Sequence, residues 1–145
     1  MISIHPQLHL QVKLAKKLAY ILHKDHFRRD AFTPYTRHIE DVAGRVGDKD
    51  YATQAMAWLH DAIEDTSATA SYILDFGVCK LVVDGVVSLT HLKGESYYEY
   101  IFRQRVDQRM VDVKTADMLS NLADTPTDRQ IIKYAKGLLW LRDIT

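Results

Sequence analysis

The octet "LHDAIEDT", residues 59 to 66, places His60, Asp61, Glu64 and Asp65 within six positions. An imidazole beside a carboxylate can ligate a divalent cation, and carboxylates one helical turn further on can handle the protons of water. Ala52, Ala55, Met56, Leu59 and Ile63 recur at helical spacing, which predicts a helix capped by Asp48 and running to about Asp65. On that helix His60 stands four after Met56 and three before Ile63, toward the buried face. His60 and Asp61 differ by about 100° around the axis and would flank an ion beside it. Asp61, Glu64 and Asp65 would crowd the last turn, where the helix dipole disfavours negative charge by a few tenths to about 1 kcal/mol each. A bound cation offsets that cost. A solvated acidic helix end with one satisfied core histidine explains the octet equally well. The pattern is not the His-Glu-x-x-His of zinc proteases, because position 64 is Glu.

Further ligands must come from other segments. His38 falls four before Val42, at the edge of an apolar stripe formed by Ile39, Val42, Ala43 and Val46. Asp117, in "VKTADMLSNL", falls four after Val113 and beside Ala116, so it also faces inward. A buried carboxylate is costly unless it is paired or bound to metal. His38, His60, Asp61 and Asp117 together make a mixed nitrogen and oxygen set. Such a set suits Mn²⁺ or Fe²⁺, less tightly Mg²⁺, and leaves positions for water and substrate.

The elements that carry these residues read as helices with short connections. A first helix covers residues 7 to 24, with Leu8, Val12, Ala15, Ala19 and Leu22 on one face. Thr33 and Pro34 fit the cap and first position of a second helix that stops at Gly47. Residues 69 to 76 suit a short helix ending at Gly77. The Val-rich "VCKLVVDGVVSLT" is assigned to a helix because no partner strand is evident. "SYYE", residues 96 to 99, is a capping-box pattern, and residues 110 to 121 form the next helix. "TPTD" opens the last, with Ile131, Ile132, Ala135, Leu138 and Leu139 as its apolar positions. The sum is an all-α bundle of about seven to eight helices, one domain over residues 1–145.

Composition narrows the function classes. Nineteen basic and nineteen acidic residues cancel without clusters of like charge, which argues against nucleic acid and membrane surfaces as partners. Residues 1 to 20 lack the apolar run of a signal peptide, and no stretch could span a bilayer. The single cysteine, Cys79, cannot form an internal disulfide and reads as a core thiol in a reducing cytoplasm. The sequence leaves the oligomeric state open.

A His on one helix, His60-Asp61 on the next and Asp117 much later resembles the HD-domain metal-dependent phosphohydrolases. The likeness extends to "HKDHFRRDAFTPYTRH" (23–38), "LHDAIEDT" (59–66) and "VKTADMLSNL" (113–122). In order, they resemble the signature segments of RelA/SpoT-type alarmone hydrolases, most nearly the small stand-alone form. The resemblance spans roughly residues 7 to 140. It implies an HD-type bundle, a nucleotide substrate, a Mn²⁺ cofactor, and metal ligation by His38, His60, Asp61 and Asp117. It assigns Glu64 and Asp65 to activating the attacking water. Arg28 and Arg29 are implied as contacts to the guanine nucleotide; a guanidinium can stack on a purine or fork to a phosphate. Asn121 matches a position near the ribose, and Lys114 a basic position before the motif Asp. Lys93, Tyr97 and Tyr98 match cleft-lining positions. The first segment is one residue shorter than its relatives, His26 replaces a frequent Gln, and Met118 and Ser120 replace more polar residues, changes expected to leave the metal chemistry untouched. His23 reads as structural, and His5, His9 and His91 fit no motif.

The expectation is a hydrolase that removes the 3′-pyrophosphate of a guanosine tetra- or pentaphosphate. The alternatives are an HD phosphatase for another nucleotide or nucleotide cofactor, and a nucleotide-binding module without turnover.

Overall fold

The structure, a computed structural model, describes residues 5–143, with side chains from His9 to Asp143. Leu8 of the first stripe therefore lies outside the described side chains. Among the described residues the chain runs through α1 (His5–Leu22), α2 (Thr36–Val46), α3 (Tyr51–Leu59), α4 (Ala62–Asp65), α5 (Ala70–Phe76), α6 (Lys80–Ser88), α7 (Tyr97–Arg103), α8 (Gln108–Leu122) and α9 (Asp128–Leu141). α4 is a single four-residue turn; the other eight are full helices, as an all-α bundle requires. A 3₁₀ turn, Gln104–Val106, joins α7 to α8. No helix of the structure is long and apolar enough to cross a membrane.

α3 is the central element and packs against α1, α2, α6 and α8. Its small buried residues Ala52, Ala55 and Ala57 let those helices approach, while Met56 and Leu59 fill the space between them. α6 comes closest through Gly85, where a Cβ would stand 2.5 Å from Met56 Sδ. Cys79 packs half-buried against this core. A second cluster, built on Tyr100, Ile101, Met118 and Leu141, joins α7, α8 and α9.

Several ends depart from the sequence reading. α2 begins at Thr36, not after Thr33, because residues 26 to 35 close on themselves first. Phe27 and Pro34 form an isolated antiparallel bridge, with Arg28 N donating to Thr33 O at 2.8 Å and Tyr35 N to His26 O at 2.8 Å. Asp30 fastens the tip by accepting from the backbone N–H groups of Phe32 and Thr33. Asp50, not Asp48, caps α3, accepting from Thr53 N at 2.8 Å. Ser96 caps α7 as expected. Thr127 and Gln130 make a full capping box at α9.

Two differences matter more. The helix expected to reach Asp65 breaks at His60, because the Ala57 carbonyl accepts from His60 Nδ1 at 2.7 Å. Asp61 then takes φ −101° and ψ 2° and precedes α4, so Glu64 and Asp65 lie on a separate single turn and not in the last turn of α3. On α9 the expected stripe is mostly outside: Ile131, Ile132, Ala135 and Leu139 are exposed and Leu138 is half-buried. The inward face carries Tyr134, Gly137, Leu138 and Leu141, because Gly137 permits the closest approach to α8.

His23 follows α1 and is buried at 1% exposure, with Nδ1 3.0 Å from His26 Nδ1. Burial lowers its pKa to about 4. The unfolded chain, with an ordinary histidine, binds the extra proton as pH falls below about 6.5, so native stability is complete above that value and declines toward pH 4. His23→Leu is expected to remove about 2 kcal/mol of the stability lost between pH 7 and pH 5. Urea midpoints of both proteins at the two pH values measure it. Gly85→Ala is expected to destabilise the bundle by about 1–2 kcal/mol through overpacking against Met56, read in the same titration at pH 7.

Candidate metal centre and cleft

Four segments deliver four ligands. His38 comes from the first turn of α2, His60 from the end of α3, Asp61 from the break, and Asp117 from the middle of α8. All four are buried, and one ligand atom of each lies within 4.8 Å of the others. That span is about twice a metal–nitrogen bond of ~2.1 Å. Nitrogen and oxygen alternate around the group. His38 Nε2 is 3.0 Å from Asp117 Oδ1 and 3.5 Å from Asp61 Oδ2; His60 Nε2 is 3.0 Å from Asp61 Oδ2 and 3.5 Å from Asp117 Oδ1.

The neighbours hold these atoms in place. His60 Nδ1 donates to Ala57 O, which directs the lone pair of a neutral ring from Nε2 into the group. Buried there, Nε2 makes no hydrogen bond. A lone pair facing two carboxylate oxygens calls for a cation or a proton between them. His38 Nδ1 lies 3.0 Å from Ser120 Oγ. Asp117 is reached from its own helix, by Lys114 Nζ at 2.7 Å and Asn121 Nδ2 at 3.2 Å.

The fields match that need. Burial opposes charge on His60, but the Asp61 and Asp117 carboxylates outweigh it and hold its pKa well above the ordinary value. Burial likewise opposes the Asp117 charge, yet Lys114 and the two imidazoles push its pKa well below the usual range. Without metal, protons on the imidazoles neutralise the carboxylates; a divalent ion suits the same donors and displaces those protons.

Glu64 and Asp65 lie at the mouth, with Asp61, Glu64 and Asp65 offering oxygens within 4.8 Å of one another. Tyr35 Oη donates to Asp61 Oδ2 at 2.8 Å and reaches Asp65 Oδ2 at 3.2 Å. Burial, with the Asp61 and Glu64 charges, raises the Asp65 pKa to about 6. Glu64 Oε1 accepts from His91 N at 2.8 Å.

Two cavities meet here. One, of about 180 Å³, lies over the centre and includes Lys114, Lys133, Tyr97 and Tyr134 in its walls. The other, of about 320 Å³, is a groove lined by His26, Phe27, Arg28, Arg29 and Gln130. Tyr35, Asp65 and Asn121 belong to both.

No family model matches the chain. A guanosine-3′,5′-bis(diphosphate) 3′-pyrophosphohydrolase of Aquifex aeolicus is 31% identical over 132 residues, covering 84% of this chain and 19% of that protein. A probable enzyme of the same name from Synechocystis is 34% identical over 116 residues, 72% of this chain and 15% of that protein. The chain belongs to the RelA/SpoT family. A solved structure of a metazoan SpoT ortholog that hydrolyzes ppGpp shares its fold, with TM-score 0.74 and 24% identity over 92% of this chain and 84% of that one. This RelA/SpoT chain thus spans less than a fifth of the curated relatives it matches.

Beyond the ligands, the expected residues divide. Arg28 faces the groove, fastened to Asp124 Oδ2 at 2.8 Å and to Asn121 Oδ1 at 3.4 Å, with its guanidinium 5.5 Å from the centre of the Tyr35 ring. Arg29 lines the same groove from an exposed position. Lys114 is buried against Asp117, not solvent-facing. Tyr97 lines the metal cavity, but Lys93 and Tyr98 do not: Tyr98 is 48% exposed and turned toward Phe102 and Trp140. Ser120 lies against a ligand histidine, its Oγ 3.0 Å from His38 Nδ1. Tyr35, His91 and Lys133 were not singled out for roles here. Tyr35 had a signal, lying three residues before His38 on the way into α2.

Mn²⁺ binding to metal-free protein, followed by calorimetry, tests the centre. His60→Ala and Asp117→Ala are expected to abolish stoichiometric binding, while Ser120→Ala weakens it about tenfold by freeing the His38 ring.

Proposed function

We propose that the chain is a single Mn²⁺-dependent hydrolase domain, cytoplasmic, that removes the 3′-pyrophosphate from guanosine 3′,5′-bis(diphosphate). The observation that carries this reading is the break after α3, where His60, Asp61, Glu64 and Asp65 share one short stretch and the last three line a cavity. The names of the curated relatives and the activity of the SpoT ortholog supply the substrate.

A divalent ion held by His38, His60, Asp61 and Asp117 supplies positive charge to the phosphoryl group and makes water acidic enough to attack near neutral pH. Asp65, with a pKa near 6, is matched to accept a proton from that water, and Glu64 orients it from the next position. Tyr35 steadies Asp65 against Asp61, so the base keeps its place as its charge changes. Arg28 and Arg29 hold the nucleoside in the groove, Asn121 lies between groove and centre beside the ribose, and Lys114 keeps Asp117 ionised. Water adds to the phosphorus joined to the ribose 3′ oxygen, that P–O bond breaks, and the oxygen takes up a proton. Guanosine 5′-diphosphate and pyrophosphate are the products.

The test is turnover by Mn²⁺-reconstituted protein across a panel of nucleotides. Pyrophosphate from the 3′-pyrophosphorylated guanosine nucleotide is the expected product. Orthophosphate from other nucleotides, with that substrate untouched, replaces this reading with a general nucleotide phosphatase. Glu64→Gln is expected to keep its metal and lose about 10²-fold or more in kcat.

A further inference from the structure

Lys133 belongs to no motif in the sequence, and the metal centre does not use it. It stands three residues after Gln130 on α9, so that Gln130 lines the groove while Lys133 lines the metal cavity. Its ammonium lies 4.6 Å from the centre of the Tyr97 ring and 5.4 Å from that of Tyr134. Among the described residues no carboxylate pairs with it and no hydrogen bond engages it. The other ammonium of the cavity, Lys114, is engaged by Asp117 at 2.7 Å. Partial burial and the Lys114 charge lower the Lys133 pKa, although the Asp117 and Glu64 carboxylates in the same cavity oppose the shift.

Packing fixes this position. Gly137, one turn further along α9, is so close to its neighbours that a Cβ would stand 2.7 Å from Met118 Sδ and 2.9 Å from Tyr97 Oη. α9 is therefore pressed against α7 and α8 beside Lys133. Lys133, an exposed residue, thus lines the cavity, while the cavity's other lysine, Lys114, is already paired.

We infer that Lys133 binds the outer phosphate of a diphosphoryl group and so makes the site select diphosphates over monophosphates. The inference rests on the phosphohydrolase reading above and names what that site prefers. The ion takes up the phosphoryl group under attack. A monophosphate ends there, whereas a diphosphate carries a second anionic group that needs its own cation. Among the described residues, Lys133 is the lysine of the same cavity that no carboxylate engages.

Mn²⁺-loaded wild type, Lys133→Ala and Lys133→Arg are compared for binding of inorganic pyrophosphate and of orthophosphate, and for kcat and KM on the 3′-diphosphate substrate. Lys133→Ala is expected to weaken pyrophosphate about 10- to 100-fold and to raise KM by a similar factor. Orthophosphate affinity, bound metal and thermal midpoint stay unchanged, and Lys133→Arg recovers most of the loss. Equal pyrophosphate affinity in wild type and Lys133→Ala overturns the inference, as does an equal loss for both anions. Wild type that binds pyrophosphate through Lys133 but leaves the 3′-diphosphate intact overturns the hydrolase reading alone. Full turnover with pyrophosphate affinity unchanged in Lys133→Ala overturns this inference alone.

Discussion

Two carboxylates inside a helical bundle set the terms for much of the rest. An ionised carboxylate away from water costs several kcal/mol unless it is paired, and Asp61 and Asp117 are both buried. Each element around them contributes to meeting that cost. α2 sends His38, the end of α3 sends His60, α8 supplies Lys114 and Asn121 to its own Asp117, and the loop before α2 adds the Tyr35 hydroxyl. The break between α3 and α4 serves the same need. Turning the His60 ring back to the Ala57 carbonyl ends the helix and aims Nε2 at the carboxylates.

The ligands were legible because chemistry and periodicity pointed the same way. His38, His60 and Asp117 each occupy an apolar helical face where a polar residue is out of place, and the structure brings them together with Asp61. The break was not legible, because Ile63 continues the apolar spacing of α3 and nothing local marks an end. It is imposed by a side chain bonding to the backbone within a tertiary arrangement. The crowded helix end inferred from the sequence belonged to the assumed helix, and Glu64 and Asp65 sit on a separate single turn instead.

α9 shows the opposite failure. Its start was readable in "TPTD", yet Ile131, Ile132 and Leu139 are exposed while Tyr134 and Gly137 face inward. Hydrophobicity ranks those faces wrongly because the deciding factor is clearance: a helix with glycine at the contact can lie where one with isoleucine cannot. The same logic hid Tyr35 and Ser120. Tyr35 acts through hydrogen bonds to Asp61 and Asp65 and Ser120 through one to His38, and a residue type alone does not announce such bonds.

Tyr35, Asp65 and Asn121 form a party wall between groove and metal cavity. Asn121 in particular gives its amide nitrogen to Asp117 and its oxygen to Arg28. A ligand that displaced Arg28 would act on the same amide that meets Asp117, and the traffic could run either way. Thermodynamic linkage makes the traffic reciprocal: whatever factor the ion contributes to nucleoside affinity, the nucleoside returns to ion affinity. The two halves of the cleft share a single carboxamide.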